Sequence, residues 1–177
     1  ACEPRLTMAA PSCHLTTLLG DLENELPRDA EQYPRGILGA GLELADLMIV
    51  RAPQPAIMLG QKFDFFERRG FIEAYKDLKA FYEVLGAVDK FEMFLGPTTH
   101  GYSIHNQEAM VDFFCRQTGR KAQQVEVTPL AEDQIQVCPD GNVLMAGSVS
   151  ISDLIQQQAR ELAAKRPPLD KVALQKK

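Results

Sequence analysis

The residues of this chain best equipped for chemistry are an acid and a histidine, each just beyond an apolar run. Asp64 stands in Gly60-Gln61-Lys62-Phe63-Asp64-Phe65-Phe66, and His100 in Gly96-Pro97-Thr98-Thr99-His100-Gly101-Tyr102-Ser103. A histidine can take a proton from a hydroxyl and return it later. A carboxylate beside it holds the ring in one tautomer and stabilises the imidazolium that forms. These are two parts of a serine-hydrolase triad. The third, a serine in a Gly-x-Ser-x-Gly turn, occurs nowhere in the sequence. Gly101-Tyr102-Ser103-Ile104-His105 begins like that turn but ends in histidine. Cys13 and His14 are adjacent in sequence, and adjacent side chains rarely face each other, so they read as loop rather than as a thiol nucleophile with its base. Ser148, Ser150 and Ser152 read as turn and helix-cap residues. Taken singly, Asp64 fits a turn former and His100 a structural or surface histidine; their shared position after successive runs favours the functional reading.

The elements that must position this pair follow from periodicity. Pro55 to Gly60 is a continuous apolar run too short for a helix, which predicts a buried parallel strand. Gly70 to Leu85 repeats apolar residues at helical spacing, with Gly86 suited to its C-terminal cap. Lys90 to Leu95 predicts a second buried strand. Asn106 is expected to cap a helix running to about Gln117, with Glu108 in its first turn and Gly119 at its end. Alternating strand and helix argues for parallel strands with covering helices, and in such sheets ligands gather beyond the carboxyl ends of the strands. Upstream, we expect a strand over Arg5 to Ala10, a short helix over Leu15 to Leu22, an irregular crossing from Glu25 to Arg35 and a helix from Gly41 to Ile49. Downstream, Gln123 to Val127 reads as a strand, and Gln136-Val137-Cys138 and Val143-Leu144-Met145 as a hairpin about Pro139-Asp140-Gly141-Asn142. Ser150-Ile151-Ser152-Asp153 starts a helix to about Lys165, which Pro167-Pro168 ends, leaving a polar, frayed remainder.

With 177 residues, 45% of them hydrophobic, the chain can build one ordinary core with a small appendage. A net charge of -5 argues against a broad nucleic-acid-binding face. No apolar run of about 18 residues predicts a membrane span, and no signal peptide is visible. The four cysteines, Cys2, Cys13, Cys115 and Cys138, have no C-x-x-C spacing. They read as buried or half-buried thiols, with one disulfide as the alternative. Asp64, Glu67 and His100 match no metal-ligand spacing, so neither a metal nor a cofactor is expected.

Several segments together resemble a known family. Gln61-Lys62-Phe63-Asp64-Phe65-Phe66, Phe71-x-x-Ala74-Tyr75-x-x-Leu78-Lys79, Leu85-Gly86-Ala87, and His100-Gly101-Tyr102-Ser103 through Glu108-Ala109-Met110 are similar to the carboxyl half of acetyl xylan esterase-like α/β-hydrolases. These are relatives of dienelactone hydrolases and prolyl oligopeptidases. Glu3-Pro4-Arg5 and Asp29-Ala30-Glu31-Gln32 fit the stretch after that family's nucleophile. The resemblance implies an α/β fold: the C-terminal half of an α/β-hydrolase parallel sheet with flanking helices over residues 1–120, plus a small C-terminal extension over 121–177. It implies Asp64 as triad acid and His100 as general base, with the nucleophilic serine upstream of Ala1. The activity implied is carboxylic ester hydrolysis, with acetyl groups on a polysaccharide as the implied substrate, in a secreted or periplasmic setting. A prolyl-oligopeptidase-like peptidase and a non-catalytic remnant or subunit are the alternatives. Phe63, Phe65 and Phe66 fit core packing; the functional alternative has Phe65, with Tyr102, bordering an acyl or sugar pocket. The 177 residues alone are expected to be inactive. Half a parallel sheet exposes a strand edge, so the missing half of the hydrolase or a second copy is the expected partner, with no nucleic acid and no membrane.

Overall fold

The computed structural model describes residues 3–24, 29, 32–123 and 126–167. The chain divides into two units, Ala1–Gln124 and Val125–Lys177.

The first unit is built on two parallel strands, β1 (Ala56–Phe63) and β2 (Phe91–Thr99). Successive residues of a strand face opposite sides, and β1 buries both. Ala56 and Met58 join one core cluster, with Phe71, Leu78, Tyr82 and Phe91; Ile57 and Leu59 join another, with Phe113. That two-sided burial is why the sequence shows an unbroken apolar run rather than alternation. The first face is covered by α3 (Arg68–Val84). Its Tyr82 ring stacks on Phe91 with centroids 4.8 Å apart, and the Tyr82 hydroxyl donates to the Gln54 carbonyl at 2.6 Å. Glu67 caps α3 by accepting from the Gly70 N–H at 2.6 Å. Burial raises the Glu67 carboxyl, but Arg69 and this backbone donor outweigh it and bring it below the usual value. Gly86 closes the helix at φ +66°. The second face is covered by α4 (Ile104–Gln117), held to β2 by a two-pronged Arg116–Glu92 pair at 2.7 and 2.9 Å.

Upstream segments depart from expectation. No regular strand forms over Arg5 to Ala10. Residues 9–13 instead lie parallel to β1 through two isolated bridges, Ala9 with Ala56 and Ser12 with Leu59. Ala9 exchanges bonds with Pro55 and Ile57, and Cys13 N–H donates to Leu59 at 2.8 Å. Pro11 falls where the alternation calls for a donor and has no N–H, so the ladder breaks there. The first helix is α1 (Leu18–Glu23), capped by the Thr17 side chain on Gly20 N–H at 3.1 Å. The helix expected from Gly41 shortens to α2 (Asp46–Ile49). Gly41 adopts φ +67°, and Asp46 folds back to accept from Glu43 N–H at 2.8 Å, so the first residues are spent in a turn. Much of the crossing from Glu25 to Arg35 lies outside the described residues. Asn106 is not the cap of α4; Ser103 is, accepting from Asn106 N–H, and Glu108 falls beyond the first turn.

In the second unit, α5 (Glu132–Ile135) and α6 (Ile151–Ala164) are the helices among the described residues. Ser150 caps α6 as its sequence predicts, accepting from Asp153 N–H at 3.0 Å. The hairpin does not form. Asn142 captures Leu144 N–H at 2.9 Å, and Ser148 N–H turns back to Val143, so the groups a ladder needs are used locally. Residues 123, 126 and 127 are not in a strand; 124 and 125, like 168–177, lie outside the described residues. No described helix is long and apolar enough to cross a membrane.

Candidate active site

Strand register decides what meets at the end of the sheet. Ala56 pairs with Phe91 and Gln61 with Gly96, but Phe63 pairs with Thr99. Two residues of β1 thus run against three of β2. Without the extra residue Asp64 would stand level with Thr99; with it, Asp64 and His100 leave their strands side by side. His100 Nδ1 lies 2.9 Å from Asp64 Oδ1, although 36 residues separate them. A carboxylate only accepts, so in the neutral ring this contact places the hydrogen on Nδ1 and the lone pair on Nε2. Asp64 Oδ1 also accepts from Phe66 N–H at 3.1 Å. The acid's side chain is 4% exposed, whereas that of His100 is 41% exposed. The arrangement is a fixed carboxylate beneath an imidazole that opens to solvent.

Phe65 stacks on the His100 ring, with centroids 4.2 Å apart and planes 29° apart, and Phe66 meets it edge-on at 5.5 Å. Phe66 is buried, but Phe63 and Phe65 are exposed, so core packing holds for only one of the three aromatics. Tyr102 is exposed and its hydroxyl donates to Met110 Sδ at 2.8 Å, directing it to α4 rather than to the histidine. A small recess of about 10 Å³, room for about one water, lies beside the acid, lined by Cys13, Asp64, Phe66 and Arg68 among others. Ser103 is occupied as the cap of α4, and His105 is exposed.

Two buried amides hold the histidine loop, and sequence reading missed both. Gln61 Nε2 donates to the Gly101 carbonyl and to Ser103 Oγ, each at 2.9 Å, while its Oε1 accepts from Thr98 N–H at 3.3 Å. Asn106 Nδ2 donates to Ser12 Oγ at 3.0 Å and Gly60 O at 3.4 Å. Gly96 leaves room for them, since a Cβ there would run into the Gln61 and Asn106 side-chain oxygens. The available signal was a polar residue continuing an apolar strand, which is tolerated only when fully bonded.

Cys13 also reaches the site. It adopts φ +51°, and its thiol donates to the Gly101 carbonyl at 3.4 Å. Burial pushes this thiol up, and the Asp64 carboxylate adds to the rise against opposing bonds from the Gly101 backbone and Ser12. Thiolate is therefore scarce near neutrality, which weighs against Cys13 as a nucleophile. Cys13, Cys115 and Cys138 are free thiols, each half-buried; Cys2 lies outside the described residues.

The fold is part of an α/β-hydrolase fold. A solved methylesterase, BT1017, superposes with a TM-score of 0.50 and 18% identity over 67% of this chain and 26% of its own. A carbohydrate esterase family 15 glucuronoyl esterase from Caldicellulosiruptor kristjansonii matches with a TM-score of 0.43 and 19% identity, covering 50% of this chain and 25% of that one. The chain thus spans about a quarter of the length of these solved chains. No family model matches it, and no curated protein does.

Proposed function

We propose that this chain supplies the acid and the general base of a carboxylic ester hydrolase, with acetyl esters of the acetyl xylan esterase kind as the substrate class. The observation that carries the reading is the Asp64 Oδ1–His100 Nδ1 contact of 2.9 Å, with the imidazole open to solvent on its other side. In the proposed reaction a serine from sequence outside these 177 residues attacks the ester carbonyl. His100 Nε2 takes the serine proton and gives it to the departing alkoxide. It then takes a proton from water as that water attacks the acyl-enzyme, and returns it to the serine. Asp64 holds the ring in this tautomer and stabilises the imidazolium. Phe65, stacked on His100, is the proposed wall of the acyl pocket, and the remaining part of the hydrolase is the proposed partner of the sheet edge.

The test is hydrolysis of an aryl acetate. The chain alone is expected to show no turnover and no fluorophosphonate labelling. In the full-length protein carrying the serine, Asp64→Asn is expected to lower kcat roughly 10⁴-fold, and His100→Ala at least as much. Turnover by the isolated chain that His100→Ala abolishes would sink the external serine; full-length activity indifferent to His100→Ala would sink the triad.

A further inference from the structure

The site holds one group that the proposed hydrolysis does not use. Cys13, Asp64 and His100 each present a ligand atom, and the three atoms lie within 4.8 Å of one another. We propose that these three residues form a binding site for a borderline-soft divalent cation of the zinc class.

Three observations support the site. The first is the donor set: one sulfur, one carboxylate oxygen and one imidazole nitrogen. Sulfur and imidazole favour zinc over magnesium or calcium, and three protein ligands with a fourth position open to water is an arrangement zinc adopts. The second is Asp64 Oδ2, a buried oxygen with no hydrogen-bond partner among the described residues, on a side chain only 4% exposed. A buried carboxylate oxygen left unpaired is costly, and a cation in contact with it removes that cost. The third is access, because the half-exposed His100 leaves the fourth position to water. Zn–S bonds near 2.3 Å and Zn–N bonds near 2.0 Å put tetrahedral ligand atoms roughly 3.5 Å apart. The three atoms therefore need close by only about an ångström.

Binding is a displacement that balances simply. The cation takes the Cys13 sulfur as thiolate, and the thiol proton leaves to solvent. Bound through Nε2, the cation takes the base's lone pair; bound through Nδ1, it takes the nitrogen that Asp64 orients, and the ring hydrogen moves to Nε2. Either way metal occupancy and general-base catalysis exclude each other, a consequence that rests on the proposed hydrolase reading. The site itself does not rest on it. Sequence spacing could not disclose the set, because its members come from three segments joined only by the sheet.

The probe is Co²⁺ titrated into the reduced chain, read by the thiolate-to-cobalt absorption in the near ultraviolet and its bleaching by Zn²⁺. The expected result is a band that saturates at one equivalent and is lost in Cys13→Ser. Outer-shell changes weaken metal sites roughly 10–100-fold, so His100→Ala and Asp64→Asn should weaken cobalt binding by more. Circular dichroism checks that each variant is folded. His100 has the most exposed side chain of the three, so its variant carries the test if Cys13→Ser does not fold. No band in the wild-type chain, or a band and affinity unchanged in the Cys13 or His100 variant, overturns the site. Failure of the two readings is distinguishable. Full-length hydrolysis that depends on His100 but ignores Zn²⁺ overturns the site alone. A chain that binds cobalt through Cys13, within a protein whose hydrolysis ignores His100→Ala, overturns the triad alone.

Discussion

The two units fold by different means. In the first, Leu59, Leu78, Tyr82, Phe91 and Phe113 are buried almost completely on the two faces of one strand pair. In the second, no described residue is buried: Leu154, Ile155 and Leu162 of α6 all stand exposed. The first unit is held by area removed from water, which is contributed by residues far apart in sequence. The second is held by hydrogen bonds between residues a few positions apart, chiefly the Ser150 cap and the Asn142 turn. A site that requires two side chains to meet at a fixed distance belongs on the first kind of scaffold, and the Asp64–His100 pair is there.

Mutation should separate the two regimes. Phe91→Ala, which empties the stack beside Tyr82 and Tyr75, is expected to cost the first unit about 3–5 kcal/mol, read by chemical denaturation. The amides of α6 should keep their hydrogen-exchange rates, and a matching loss of protection in α6 would break the contrast.

Alkaline titration probes the same core without mutation. Burial raises the Tyr82 phenol above its ordinary value, against a smaller opposing effect of Arg51. The folded state thus holds this proton more tightly than the unfolded chain. Its contribution to stability is fully present below the ordinary tyrosine value near 10 and is lost as pH rises through the folded value. Tyrosinate absorbance for Tyr82 should appear together with loss of the first unit's near-ultraviolet dichroism. Ionisation at the ordinary value with the dichroism intact would show that the ring is not sealed.

The smallest effects belong to the second unit. Ser150→Ala is expected to cost about 1 kcal/mol of α6 stability, seen as faster exchange in its first turn. Leu154→Ala on the same helix should stay within about 0.5 kcal/mol. A larger loss for Leu154 than for Ser150 would mean that burial, rather than the cap, holds α6.

Legibility in the sequence followed the same division. Where bonds are local or the period is strong, the reading held: α3 with Gly86 at its end, α6 with its Ser150 cap, and β1 as a buried strand. Where another group, remote or close by, competes for the backbone or a side chain, it slipped. Asn106 looks like a cap because asparagine usually is one, but the buried space beneath Ser12 and Gly60 claims its amide. The hairpin at Gly141 had a sound turn signal, yet Asn142 drew the following backbone into a turn of its own.

The sequence by itself determined that an acid and a histidine follow two successive strands: β1 shows as an unbroken apolar stretch because both its faces are buried, whereas β2, expected to be buried, buries only Phe91 and Gly96 and leaves its other residues half-buried or exposed. Only the tertiary structure decided that they touch. The distance between them depends on the register of two strands pairing across 36 residues, including one extra residue in β2, and on the Gln61 and Asn106 amides beneath the histidine loop. Register is a property of the pair and is carried by neither strand alone. Cys13 joins them for the same reason, since its place is fixed by the bonds that tie residues 9–13 to β1.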